Sequence, residues 1–223
     1  MKKSSLLDPD NSKSINQKFR ENRFAFFREL LSRIQSDKPI EILDIGGTQS
    51  YWESMNFTEG HNANITLLNL YLAPVKYPNF SSIAGDACDL SNFGEDHFDI
   101  IFSNSVIEHL FTYENQMKMA KEIRRVGKYY YVQTPNYYFP IEPHWLFPLF
   151  QFFPFNMKVA LTKNFNLGNY KKSKTREAAM RRVNEVQLLT EKEMKTLFPE
   201  GLVYREKFLG LTKSVTIYNF PKI

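Results

Sequence analysis

The segment ILDIGGT, Ile42 to Thr48, is the first place where the sequence offers chemistry. A short apolar run closes on an acid, Asp44, and then turns through Gly46 and Gly47. Glycine removes the side chain that would hold a ligand away from the backbone. In open α/β sheets, the crevice at the carboxyl ends of the strands is where cofactors bind. Later apolar runs also end in polar residues, at Leu68-Asn69-Leu70, at Gly85-Asp86-Ala87 and at Ser103-Asn104. Hydrogen-bonding groups at successive strand ends would form one polar edge, suited to the polar parts of a cofactor. Glu108-His109 follows a few residues later. Glu142 and His144 lie in PIEPHW, a loop stiffened by Pro140 and Pro143.

These residues need a sheet to position them. From Ile15 to Gln35, Phe19, Phe26, Phe27, Leu30, Leu31 and Ile34 mostly recur at helical spacing, and Pro39 ends that element. Buried strands are predicted at Ile40 to Ile45, Asn64 to Leu70, Phe80 to Ala84, Phe98 to Ser103 and Tyr129 to Thr134. Tyr113 to Val126 carries a helical pattern with its charges on one face. Thr190-Glu191-Lys192-Glu193 is a capping signature that starts a short helix. Two late runs, Leu202 to Phe208 and Ser214 to Phe220, are joined by Leu209-Gly210-Leu211 and predict a terminal antiparallel pair. Continuous apolar strands alternating with helices point to parallel strands covered on both faces. The expected fold is α/β: a Rossmann-like three-layer sandwich with a mostly parallel seven-stranded sheet and a C-terminal antiparallel pair. Residues 1–14 read as a flexible polar tail. Residues 15–223 read as one domain, interrupted by an aromatic and basic insertion at about 136–185.

Composition narrows the class. The 223 residues suit one domain with a sizeable core, and 43% hydrophobic with 24% charged excludes a disordered or fibrous chain. Cys88 is the only cysteine, so an internal disulfide and a multi-thiolate metal site are excluded. The first residues lack the apolar core of a signal peptide, and no run reaches bilayer length, so the expected location is cytoplasmic. A net charge of +5 fits nucleic acid, anionic lipid, a phosphorylated substrate or a lysine-biased surface, and alone does not choose among them.

Taken in order, the four strand-end motifs resemble the class I S-adenosylmethionine (SAM)-dependent methyltransferases over roughly Ile40 to Thr134. The resemblance implies SAM as cofactor. It assigns Asp44, Gly46 and Gly47 to the amino acid part of SAM, Asn69 to the ribose, and Asp86 with Ala87 to the adenine. Ser103 and Asn104 would lie near the cofactor, where the substrate pocket starts. Two departures stand out: Gln49 and Ser50 occupy the place of the usual third glycine, and Asn69 stands where an acid is common. The short glycine turn also disfavours a dinucleotide-binding reading.

Methyl transfer from a sulfonium is an in-line displacement, and a base is needed only if the acceptor must lose a proton. His109 is the first candidate base and His144 the second. Both have a plain alternative, His109 as a helix-start histidine and His144, with Glu142, as a pin holding the insertion to the core. Glu108-His109 is also similar to part of a metal-ligand motif in ubiquinone-biosynthesis O-methyltransferases. Ser105 stands where that motif has a further Glu, so no metal is expected.

The insertion opens with WLFPLFQFFPF, Trp145 to Phe155, in a chain of twenty Phe and twelve Tyr. Such a block would serve as a lid over an apolar acceptor, as a peripheral membrane contact through 145–155, or as a dimer interface or satellite core. The expected acceptor is a small-molecule or lipid-type compound, partly apolar or aromatic. Nucleic acid is disfavoured, because the Asn/Asp-Pro-Pro-aromatic signature is absent after strand four and the aromatics are not interleaved with charge. A binding module that keeps the fold without catalysis is the rival reading.

Overall fold

The structure, a computed structural model, describes residues 15–222, with side chains from Gln17 onward. The expected tail at 1–14 lies outside them.

Seven strands form one sheet. They are β1 (Ile40–Ile45), β2 (Ala63–Asn69), β3 (Phe80–Ala84), β4 (Phe98–Asn104), β5 (Gly127–Pro135), β8 (Leu202–Phe208) and β9 (Leu211–Tyr218). Their spatial order is β3-β2-β1-β4-β5-β9-β8. The first five run parallel, and β9 is antiparallel to both β5 and β8. The chain therefore adopts the α/β sandwich expected from its apolar runs. The β8–β9 turn is two residues, Leu209 and Gly210, both at positive φ (49° and 82°), which matches the twist of a tight hairpin. This lets β9 begin three residues earlier than the sequence suggested.

Alternation within the strands sends side chains to two cores. Ile40 and Ile42 of β1 face a cluster with Phe24, Phe27 and Leu30 of helix α1 (Ile15–Leu31) and Trp52 of the short helix α2 (Gln49–Ser54). Leu43 and Ile45 face the other cluster, built on Met119, Ala120 and Ile123 of α3 (Tyr113–Val126) and Met194 and Leu197 of α6 (Glu191–Leu197). Helix α1 stops at Leu31 rather than Gln35. The Thr190 capping box forms as expected, with Thr190 accepting from the Glu193 amide and Glu193 accepting from the Thr190 amide.

After β5 the alternation gives way to a two-stranded hairpin, β6 (Ile141–Glu142) with β7 (Phe147–Pro148), a 3-10 turn at Phe150–Phe152, and helices α4 (Phe155–Asn164) and α5 (Arg176–Glu185). This hairpin was not anticipated. Trp145, Phe150, Val159, Ala179 and Val183 bury one another in a small separate core, with the Trp145 and Phe150 rings stacked at 4.4 Å. Leu149, Phe152 and Phe155 remain exposed.

Helix α1 is tied to β8 by a buried ion pair. Arg23 Nη1 donates to both oxygens of Glu206, at 3.0 and 2.9 Å, and Ser214 Oγ donates to Glu206 Oε2 at 3.1 Å. Lys213 Nζ lies 3.5 Å from the same carboxylate. Arg23→Ala is expected to lower stability by about 3 kcal/mol in urea unfolding, because Glu206 stays buried with only the Ser214 hydroxyl and the longer Lys213 contact. Unchanged stability would show that the pair contributes nothing net.

Candidate functional site

The carboxyl end of β1 sets the site. Gly46 adopts φ 72°, and a Cβ there would meet Val106 Cγ2 at 2.6 Å, so this turn accepts glycine alone. A Cβ on Gly47 would fall on the Asp44 carboxylate. Asp44 is buried beneath the turn and accepts a hydrogen bond from Trp52 Nε1 at 2.7 Å. Burial raises its pKa to about 7, an effect that the Trp52 bond only partly offsets. At the end of β2, Asn69 Nδ2 donates to the Gly47 carbonyl at 2.9 Å. Asn69 thus braces the glycine turn and keeps its own Oδ1 as an acceptor.

The order β2-β1-β4 makes β1 and β4 the place where successive connections leave in opposite directions, which is where open α/β sheets form their crevice. A cleft of about 660 Å³ opens there, a size usual for small-molecule sites. Asp44, Gly46, Gly47 and Asn104 line its floor. Its far wall carries Phe139, Ile141 and Leu146 from the segment after β5, and Arg23 and Lys213 from around the buried ion pair. Asn104 Oδ1 and Ser103 Oγ are buried without a hydrogen-bond partner among the described residues. An orphaned acceptor on the floor of a cleft suits a ligand that brings a donor.

Residues 43–129 match the family described as Methyltransferase domain. A SAM-dependent methyltransferase from Methanosarcina mazei superposes with a TM-score of 0.55 at 15% identity, over 85% of this chain and 95% of that one. One from Aquifex aeolicus superposes at 0.53 with 12% identity, over 95% and 97% of the two chains. A third, from Archaeoglobus fulgidus, gives 0.52 at 11% identity, over 91% and 96%. Comparison with curated protein sequences gives no match. The chain has the class I SAM-dependent methyltransferase fold.

SAM is the cofactor of that family, and the methyltransferase fold gathers the predicted residues unevenly. Asp44, Gly46, Gly47 and Asn104 come together on the cleft floor, and Asn69 touches the glycine turn from the next strand. Asp86 sits exposed after β3, where its Oδ1 accepts from the Cys88 amide at 2.8 Å and closes its own turn. Ala87 packs on the core beside it. Ser103 is wholly buried in β4. His109 and His144 do not line the cleft. They meet each other at its side, with Nε2 atoms 3.2 Å apart.

Several contributors were not foreseen. Trp52 holds Asp44, and no spacing rule links a helix residue to an acid eight positions earlier across a turn. Ser105 adopts φ 60° and donates from Oγ to Gln133 Oε1 at 2.8 Å, which fixes the β4 exit to β5. Arg23 and Lys213 reach the cleft from elements outside the matched span. No helix among the described residues is long and apolar enough to cross a membrane.

Proposed function

We propose that this protein is a SAM-dependent methyltransferase acting on a small-molecule or lipid-type acceptor that is partly apolar or aromatic and carries an anionic group. The observation that carries this reading is the glycine turn over a buried Asp44, opening into a cleft at the sheet's switch point. The residues present fit the cofactor. Asp44 and Asn104 Oδ1 are acceptors without a cation, matched to an ammonium group, and the Gly46-Gly47 turn leaves the backbone bare. When bound, SAM supplies a methyl group on a sulfonium. Asn69 would accept from the ribose, and Asp86 with Ala87 would meet the adenine. The anionic preference follows from Arg23 and Lys213 sharing the single carboxylate of Glu206, which leaves an excess of positive charge at the far wall. Phe139, Ile141 and Leu146 would cover the apolar part of the acceptor and keep water from the line of transfer.

Calorimetric titration with SAM and with its demethylated product tests the reading. Micromolar binding of either supports it. No binding to a folded sample overturns it in favour of a module that keeps only the fold. Asp86→Ala is expected to weaken SAM by about 1.5–3 kcal/mol, roughly tenfold to a hundredfold, from loss of one charge-assisted hydrogen bond. An unchanged affinity would remove Asp86 from the adenine site and leave it as a turn residue.

A further inference from the structure

Beside the cleft, the turn after β4 meets the loop after β6. Glu108 and His109 come from a 3-10 turn at Ile107–His109, and His144 comes from the loop between β6 and β7. The two imidazoles cross at 89° with Nε2 atoms 3.2 Å apart. Glu108 is fully buried. Its Oε2 accepts from Thr134 Oγ1 at 3.0 Å, while its Oε1 has no hydrogen-bond partner among the described residues. One ligand atom from each of Glu108, His109 and His144 lies within 4.8 Å of the other two.

Each histidine turns its other nitrogen toward a carboxylate. His144 Nδ1 pairs with Glu142 Oε1 at 2.6 Å, and His109 Nδ1 lies 3.9 Å from Glu185 Oε1. Glu142 is fixed in turn, because its Oε2 accepts from the amides of His144 and Trp145, both at 2.7 Å. At His144 the Glu142 carboxylate holds the proton on Nδ1 and leaves the Nε2 lone pair free to bind, whereas His109 Nδ1 has no hydrogen-bond partner among the described residues.

A hydrogen bond between the two Nε2 atoms would account for one contact only. It leaves a buried carboxylate oxygen unpaired, which is costly. A single cation accounts for every feature at once. Ligand atoms bound tetrahedrally at about 2.0–2.1 Å lie about 3.3 Å apart, close to the observed imidazole separation. We propose that Glu108, His109 and His144 bind one divalent transition-metal ion, with Glu142 orienting the His144 imidazole. Two imidazoles and one carboxylate suit Zn²⁺, whereas Mg²⁺ and Ca²⁺ prefer oxygen ligands throughout. The turn after β4 supplies only two ligands, and the segment after β5 supplies the third. Pro143 and Leu146, on either side of His144, line the cleft, so the ion would fasten that wall to the sheet.

The test uses tag-free protein stripped with a chelator, then titrated with Zn²⁺ in a calorimeter and with Co²⁺ by visible absorption. One ion per chain is expected, with Co²⁺ bands of four-coordinate intensity. His144→Ala and Glu108→Gln should each weaken binding at least about a hundredfold, and Glu142→Gln about tenfold to a hundredfold. Circular dichroism and thermal melts check that each variant remains folded. Should Glu108→Gln fail to fold, His144→Ala decides, since His144 sits on a loop. Wild-type protein that is folded yet binds neither ion overturns the proposal, as does His144→Ala binding both like wild type. Neither outcome depends on whether SAM binds.

Discussion

Replacing Gly46 with valine is expected to remove SAM binding while leaving the sheet assembled. The residue sits at φ 72°, where a β-branched side chain is strained, and its Cβ would strike Val106. Relief requires the turn to lift, and the turn is the backbone that would approach the cofactor. Loss of the cradle should cost at least about 4 kcal/mol of binding, roughly a thousandfold. The strand itself is held by two parallel neighbours through Ile45, so circular dichroism should still report a folded sheet. Calorimetry on wild type and variant decides the matter. Affinity within tenfold of wild type would mean that the cofactor, if bound, lies elsewhere.

The second large effect lies in the pH dependence of Asp44. Its folded pKa, about 7, is raised above the ordinary 3.8 by burial. For a group raised on folding, the stability it contributes is full below the unfolded value and is lost as pH rises through the folded one. The ligand-free protein should therefore lose up to about 4 kcal/mol between pH 4 and pH 8 from this residue. Asp44→Asn should flatten that part of the curve. A cationic cofactor acts in the opposite sense, since it favours the carboxylate. SAM affinity should climb by up to about tenfold per pH unit below 7 and level off above it. Urea melts and SAM titrations from pH 5 to 8, on wild type and Asp44→Asn, separate the two slopes. Matching pH profiles for both proteins would show that Asp44 does not titrate in this range.

Much of this was legible because the sheet is buried on both faces. Ile40–Ile45 and Phe98–Asn104 are continuous apolar runs, too short for helices, and each stops on polar residues at the same edge. Helix α3 announced itself through its buried face and α6 through Thr190 and Glu193. What stayed hidden depends on contacts between distant residues. Trp52 reaches Asp44 only because the two-glycine turn folds α2 back over β1. His144 and His109 are 35 positions apart, and nothing in either local sequence shows that they touch. The β6–β7 hairpin has two residues per strand, too few for a periodic signal. The aromatic block revealed its apolarity but not its partners, and Trp145, buried against Phe150, turns out to be unavailable to a membrane surface.

Strand β9 lies between β5 and β8, although it is the last of the three to be synthesised. While residues 136–210 emerge from the ribosome, Tyr131 to Pro135 have no neighbour on one side, and β8 has nothing to join. That open, apolar edge is the kind that captures other nascent chains. A stop between Asn136 and Leu211 should thus yield a polypeptide with its glycine turn complete but its sheet unsealed, prone to aggregate rather than to work at reduced efficiency.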